Sequence, residues 1–335
     1  MSEFRVDSRL RKIRLTPVSF ESLGVRSMCT LIETDDLKIL ADPGVSLGPR
    51  WGLLPHPEEY VALREARERV KDLAKKVDVV TISHYHYDHY SPAWREIDPV
   101  WTWSNREVSQ EIISGKRVLA KDIRSNINFS QRQRGWFFQD AIKGWVRSLE
   151  VADGRTFEEG STRLSFSHPV SHGEEGSSLG YVLMLGVECD DERIMHCSDI
   201  QGPASQRTLR LMLDFRPTVA IIGGPPFYLS GFRVSEASIE SALRNAEKAA
   251  SMVPLIIYDH HPLRSEDCFQ RLSGLKESAG DRGHRIVTAA EFSGVPNKLL
   301  EAKRRELYKE RPPDGSFQEW VRLPEEKRRQ RMPPV

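Results

Sequence analysis

Positions 84–89 of this 335-residue chain read HYHYDH, which puts three imidazoles and a carboxylate within six residues. Neutral imidazole and ionised carboxylate are good ligands for zinc or iron, and a short loop can aim several of them at one point. The apolar run Val77-Asp78-Val79-Val80-Thr81-Ile82 supplies a strand that ends at that loop. A strand leaving a core ordinarily ends in turn residues, not in His84, His86, Asp88 and His89. The H-x-H-x-D-H spacing therefore points to metal chemistry, with a wet histidine-rich loop as the bland alternative.

With this motif after an apolar strand, the chain resembles the metallo-β-lactamase superfamily. The resemblance implies two adjacent metal sites, His84 and His86 serving the first and Asp88 and His89 the second. It also asks for an upstream aspartate, a downstream histidine, a bridging aspartate and a final histidine. Upstream, the strand 37–40 ends in Ala41-Asp42-Pro43-Gly44, where Pro and Gly stop it and leave Asp42 at its mouth. By the resemblance Asp42 orients a metal-binding histidine through its far ring N–H; capping a turn is the alternative. Downstream, 168–173 offers His168 and His172. His172 is preferred because Gly173 follows it and the Gly180-Tyr181 strand lies nearer. The strand 193–197 ends in Ser198-Asp199, and the resemblance makes Asp199 the bridge between metals. The strand 255–258 delivers Asp259-His260-His261-Pro262-Leu263-Arg264. Alternation along a strand sends neighbours to opposite sides, so one of these histidines binds metal and the other does not. In the tRNA 3′-end-processing ribonucleases of the superfamily an arginine follows the ligand by four residues. That spacing selects His260, with Arg264 as follower, and leaves His261 as a proton donor or a supporting residue.

The remaining elements fit this frame. Strands are expected near 13–15, 29–32 and 37–40, a helix at 57–76, and a short helix capped by Ser91. Trp94, Trp101 and Trp103 follow the loop and suit core packing better than a substrate wall. Further strands are expected at 145–151, 162–166, 180–185, 193–197, 219–222, 255–258 and 285–287, with helices at 204–215, 235–251, 267–278 and 296–310. Residues 297–335 read as a C-terminal helix and a charged, proline-containing tail laid loosely over the body or a second subunit. Residues 1–296 form the superfamily-like domain, an α/β four-layer αββα sandwich of two mixed sheets flanked by helices. The resemblance covers roughly 13–290 and is most like a mainly archaeal branch, which lends a fold and a site but no substrate.

Residues 104–147 depart from a minimal version of that fold. Between 116 and 147, eight basic residues stand against Asp122 and Asp140, a local excess of +6 in a chain of net charge +1. Ser130 is expected to cap a helix there, with aromatics packed inward and Arg132 and Arg134 facing out. A solvated face and a phosphate-binding surface both fit such a helix. Arg132, Arg134, Arg264 and Tyr228 are thus the candidate substrate residues; Asp88, Asp199 and His261 are candidates for direct chemistry.

Composition narrows the class. Hydrophobic residues at 39% and charged residues at 29% describe an ordinary globular chain, and no apolar run reaches the roughly 20 residues of a membrane span. The N-terminal residues carry charge and no signal-peptide core, and the four scattered cysteines form no C-x-x-C, so a cytoplasmic location is expected. Two divalent ions, zinc by preference with Mn²⁺ or Fe²⁺ as alternatives, would lower the pKa of a shared water and present hydroxide to carbon or phosphorus. The expected activity is a metal-dependent hydrolase of phosphodiesters, in nucleic acid or nucleotides. Small esters, lactones or thioesters are the rival substrates. Di-iron redox chemistry fits less well, since it usually pairs Glu with the position of His86 and adds a flavodoxin-like domain. A metal site that only structures a complex is the non-catalytic reading. A second copy of the chain is an open partner; a membrane is not.

Overall fold

The structure is a computed structural model that describes residues 10–335. The expectation for the first nine residues lies outside it. Six strands form the first sheet in chain order: β1 (Arg14–Phe20), β2 (Met28–Glu33), β3 (Lys38–Ala41), β4 (Val79–Ile82), β5 (Arg117–Ala120) and β6 (Ser148–Val151). The first pairings are antiparallel; from β3 onward they are parallel. Next in the chain are β7 (Thr156–Glu159) and β8 (Thr162–Phe166), then a small ribbon of β9 (Val170–Ser171) and β10 (Tyr181–Val182). After these come β11 (Leu185–Cys189), β12 (Glu192–His196), β13 (Val219–Gly223), β14 (Leu255–Asp259) and β15 (Arg285–Val287). The second sheet runs β15-β14-β13-β12-β11-β8-β7, parallel from β12 to β15 and antiparallel elsewhere.

Among the described residues there are ten α-helices: α1 (Pro57–Ala74), α2 (Arg106–Ile113), α3 (Phe129–Ile142), α4 (Gln206–Phe215), α5 (Glu236–Ala250), α6 (Cys268–Gly280), α7 (Ala289–Phe292), α8 (Arg304–Glu310), α9 (Gly315–Arg322) and α10 (Glu325–Arg329). Period-two alternation assigns the layers. Val79 enters the core between the sheets while Val80 faces α1 and α2; Ile257 enters the same central core while Ile256 faces α5 and α6. The order is helices, sheet, sheet, helices, and the αββα expectation holds.

Several local expectations do not. No helix follows Ser91. Its hydroxyl meets Arg67 Nη1 at 3.2 Å and Ser104 Oγ at 3.0 Å. Arg67 is fully buried and donates to the carbonyls of Pro43, Val45 and Thr102, so 91–105 is wrapped around a cation and not coiled on itself. The stretch 180–185 is divided: Val182 pairs with Val170, and Leu185 with Phe166. Helix 296–310 shrinks to α8, and ahead of it the Lys298 N–H bonds the Ser22 carbonyl at 2.7 Å. β5, inside the 104–147 segment, is a full member of the first sheet between β4 and β6.

The C-terminal tail is not loose. Asp314 Oδ1 accepts the Phe317 N–H at 2.9 Å and caps α9. Phe317 and Trp320, three residues apart, then lie on one face and bury against Tyr60 at ring distances of 5.9 and 5.4 Å.

Candidate metal centre

The site forms where parallel strands end, the edge at which open α/β sheets bind ligands. β3 runs out at Ala41 and leaves Asp42 in the left-handed region at φ 48°. β4 runs out at Ile82, and the chain turns at 86–89, closed by the His89 N–H on the His86 carbonyl at 2.9 Å. Gly44 packs directly under that turn. A Cβ there would sit 2.3 Å from the backbone nitrogens of His89 and Tyr90, so only glycine allows the loop to approach. β12 delivers Ser198 and Asp199, β9 delivers His172, and β14 delivers His260.

These elements gather four overlapping groups of ligand atoms, each within 4.8 Å of its fellows. They are His84 with His86, His172 and Asp199; Asp88 with His89 and His260; Asp199 with His260 and His261; and Asp42 with His84 and His89. Asp199 belongs to two of them and lies between the histidine-rich side and the side holding Asp88. His168, the rejected alternative to His172, is exposed, and its ring rests on Gly154.

Hydrogen bonds decide which nitrogens are bare. Asp42 is acceptor-only: Oδ1 takes the Ser83 N–H at 2.8 Å, and Oδ2 takes the Ser83 hydroxyl at 2.6 Å and the Ser198 hydroxyl at 2.8 Å. Oδ2 also lies 2.9 Å from His89 Nδ1, so that nitrogen carries the proton and Nε2 faces inward as a lone pair. Ser83, having spent its proton on Asp42, can only accept from His84 Nδ1 at 2.9 Å, which leaves His84 Nε2 bare as well. Asp42 is saturated and therefore orients the site more readily than it ligates.

A divalent cation fits this donor set. His89 Nε2, His172 Nε2 and Asp199 Oδ1 are buried with no hydrogen-bond partner. His172 Nε2 lies 2.7 Å from Asp199 Oδ2, yet the two make no hydrogen bond of sound geometry. Atoms of that kind carry a desolvation cost unless something binds them. Protonation states agree. Burial, then the neighbouring imidazoles, holds His84 well below its ordinary value and pushes His86 down to about 3. Burial opposes ionisation of Asp199, but His172 and His261 overcome it and hold its carboxyl low. Neutral imidazoles beside ionised carboxylates are what metal binding requires. His260 differs: burial and Arg264 oppose its charge, but Asp199 and Glu21 push it up to about 9.

His260 and His261 correct the alternation argument. The strand stops at Asp259, and His260 takes φ 73°, ψ −122°, so the next residue enters a short 3-10 turn and not an extended strand. Both rings consequently face Asp199, His260 Nε2 at 3.7 Å and His261 Nε2 at 2.9 Å from Oδ2. Their environments still differ. Arg264 Nη1 donates to Tyr228 Oη at 3.3 Å, which frees the phenol to donate to His261 Nδ1 at 3.2 Å and leaves the proton of His261 on Nε2, toward Asp199.

Of the candidate substrate residues, Arg264 and Tyr228 line the site. Arg264 is buried between Glu21 Oε2 at 3.0 Å and Asp88 Oδ2 at 3.5 Å. Arg134 reaches the metal loop, with Nη1 3.4 Å from the Tyr85 carbonyl and the guanidinium over the Tyr87 ring at 4.4 Å. Arg132 does not. It is exposed on the outer face of α3, where Nη2 bonds the Arg124 carbonyl. The helix is capped by Asn128, two residues before Ser130, through Oδ1 to the Gln131 N–H at 2.8 Å. Its inward face is Gln131, Gly135, Phe138 and Ile142, so Phe129, Trp136 and Phe137 point to solvent, against expectation. The three tryptophans before it serve packing: Trp103 is buried, Trp101 packs on the same core, and Trp94 lies edge-on to Tyr87.

Sequence reasoning missed Glu21, Arg50, Gln131 and Gln201. Gln131 Nε2 lies 3.4 Å from His86 Nε2, and Gln201 Nε2 lies 3.3 Å from His172 Nδ1. Arg50 stacks on Tyr228 at 4.7 Å and on Trp51 at 4.2 Å, and it donates to the Arg264 carbonyl. No local spacing marks Glu21, Gln131 or Gln201, which meet their partners only through the fold, and Arg50 reaches Tyr228 and Arg264 in the same way.

A family model described as a beta-lactamase superfamily domain matches residues 25–228. A UPF0282 protein of Methanopyrus kandleri is 44% identical over 296 residues, covering 88% of this chain and 99% of that one. A UPF0282 protein of Korarchaeum cryptofilum is 39% identical over 310 residues, covering 92% and 99%. Among solved structures, the metallo-beta-lactamase fold protein YhfI from Bacillus subtilis aligns over 83% of this chain and 96% of its own, at 13% identity and a TM-score of 0.49. The sheet order, the strand-end histidines and aspartates and the match over most of the chain lead to one conclusion: this protein belongs to the beta-lactamase superfamily, within its largely archaeal UPF0282 group.

Proposed function

We propose that this protein is a metal-dependent hydrolase of phosphodiesters. His84, His86 and His172 would hold one divalent ion, Asp88, His89 and His260 a second, with Asp199 shared, and zinc suits the imidazole-carboxylate set. Bound there, such ions supply Lewis acidity and activate water near neutral pH.

The rest falls to the chain. His261 holds a proton on Nε2 and is backed by the Tyr228 hydroxyl at Nδ1, which suits it to donate a hydrogen bond to charge that develops on an oxygen of the substrate. Asp42 fixes His89 and, through Ser83, His84. Burial favours neutral His261, lowering it to about 3, so it acts as an imidazole N–H donor.

The observation that carries the choice of substrate is a guanidinium beside that histidine whose neighbours already hold the nearby carboxylates. Arg264 takes Glu21 and Asp88, and Arg26 takes Glu301. Glu301 is held by Arg26 at 2.6 and 2.7 Å, Glu21 bonds Arg264, and Arg50 comes no closer to Glu301 than 3.8 Å. A guanidinium stacked on Tyr228, next to His261 and without a close carboxylate, suits a substrate that carries its own negative charge. The four cysteines are free and buried, which suits a reducing compartment, and we place the protein in the cytoplasm. Among the described residues no helix is long and apolar enough to cross a membrane.

The test is a panel with metal-loaded protein: bis(p-nitrophenyl) phosphate, a p-nitrophenyl ester, a lactone and a thioester. The diester is expected to turn over fastest. Arg50→Met should raise its KM about tenfold, since a shielded charge-assisted contact is worth about 1.5–3 kcal/mol, and should leave a neutral ester unaffected. Turnover confined to the neutral substrates would overturn the phosphodiester assignment.

A further inference from the structure

The outer face of α3 presents Phe129, Trp136 and Phe137 to solvent, with 79%, 54% and 59% of each surface exposed. Aromatics are mediocre helix formers, and at these positions they pack on nothing that the fold needs. Trp136 and Phe137 pair edge to face at 5.1 Å. Beside them lies a surface depression of about 520 Å³, lined in part by Arg124, Arg132, Trp136, Asp140 and Lys143. Arg124 and Arg132 make no ion pair among the described residues, while Lys143 meets Asp140 at 2.9 Å. Unneutralised cations interleaved with exposed rings make a surface that stacks bases and tracks phosphates. Asp140 has no use for a phosphate but can accept a ribose 2′-hydroxyl.

The inner face of the same helix touches the metal loop. Gln131 meets His86, Arg134 meets the Tyr85 carbonyl, and Gln139 Nε2 donates to Tyr85 Oη at 2.7 Å. A helix is about 10 Å across, so a strand seated on the outer face is a few nucleotides from the metal centre.

We infer that α3 is a docking surface for single-stranded RNA, with Trp136 as its stacking platform and Arg124 and Arg132 as its phosphate contacts. The inference rests on the phosphodiesterase reading for its purpose, but its test does not. Fluorescence anisotropy with a labelled single-stranded RNA of about twelve nucleotides, in EDTA, reads binding without turnover. Affinity is expected to fall steeply between about 50 and about 200 mM salt. Trp136→Ala should weaken binding about tenfold. Arg124→Gln with Arg132→Gln should reduce the salt slope by about two. All three side chains are exposed, so these variants should melt with the parent protein. DNA of the same sequence should bind more weakly. Absence of binding at low salt, or a Trp136→Ala variant as tight as the parent, would overturn the inference, and equal affinity for DNA would overturn the assignment to RNA. Sedimentation showing a dimer that buries Trp136 and excludes RNA would give the face to a second copy of the chain and overturn it as well. Turnover of bis(p-nitrophenyl) phosphate by the metal-loaded protein reports on the hydrolase separately.

Discussion

Asp199→Ala is expected to lower kcat on any hydrolysed substrate at least about a thousandfold, a loss of about 4 kcal/mol, while the protein still melts cooperatively. Asp199 is the carboxylate shared by the group of His84, His86 and His172 and the group of His260 and His261. Its Oδ2 lies 2.7 Å from His172, 2.9 Å from His261 and 3.7 Å from His260, and its Oδ1 has no partner. Its removal takes away the group that would join two ions and the acceptor that orients His261. The fold should survive, because what remains are imidazoles able to turn neutral inside a sandwich with three separate apolar cores. His86→Ala should behave alike on activity. Steady-state kinetics with thermal melts of both variants checks this. Full activity, or loss of the cooperative transition, contradicts it.

Arg304→Met should cost about 3–5 kcal/mol of stability, the largest effect expected away from the metal centre. Arg304 of α8 and Glu59 of α1 are both fully buried and meet twice at 2.7 Å, Nε to Oε1 and Nη2 to Oε2. Glu59 Oε1 also accepts the His56 N–H at 2.8 Å, closing the capping box of α1. Removing the cation leaves a carboxylate stranded in a dry interior; removing both charges does not. The double replacement Glu59→Gln, Arg304→Met should therefore lose less than Arg304→Met alone, as read from denaturant unfolding. A single variant within about 1 kcal/mol of the parent would show that the pair contributes little.

The candidate metal centre is legible wherever its chemistry is local. His84, His86, Asp88 and His89 must share a loop, so their spacing survives in the sequence, and Asp42 and Asp199 follow apolar strands that end in turns. The layer order was legible for a similar reason, since alternation along Val79-Val80 and Ile256-Ile257 already assigns two faces. What was not legible depends on contacts between distant positions. Glu21 reaches Arg264 across 243 residues and Arg26 reaches Glu301 across 275, and no window of sequence reports such a pair. The aromatics of α3 suggest an inward-facing aromatic side that the structure does not have. The face is set by Gly135 instead, where a Cβ would lie 2.7 Å from the Tyr85 ring. The two adjacent histidines escape the alternation of a strand because the strand ends at Asp259, one residue before them.

The most direct test of the account is to strip the protein with a chelator and titrate it with Zn²⁺ while following hydrolysis of bis(p-nitrophenyl) phosphate. The donor set gathered from His84, His86, Asp88, His89, His172, Asp199 and His260 predicts no turnover without metal and a rate that saturates near two equivalents. A rate indifferent to added zinc, or saturation below one equivalent, would contradict it.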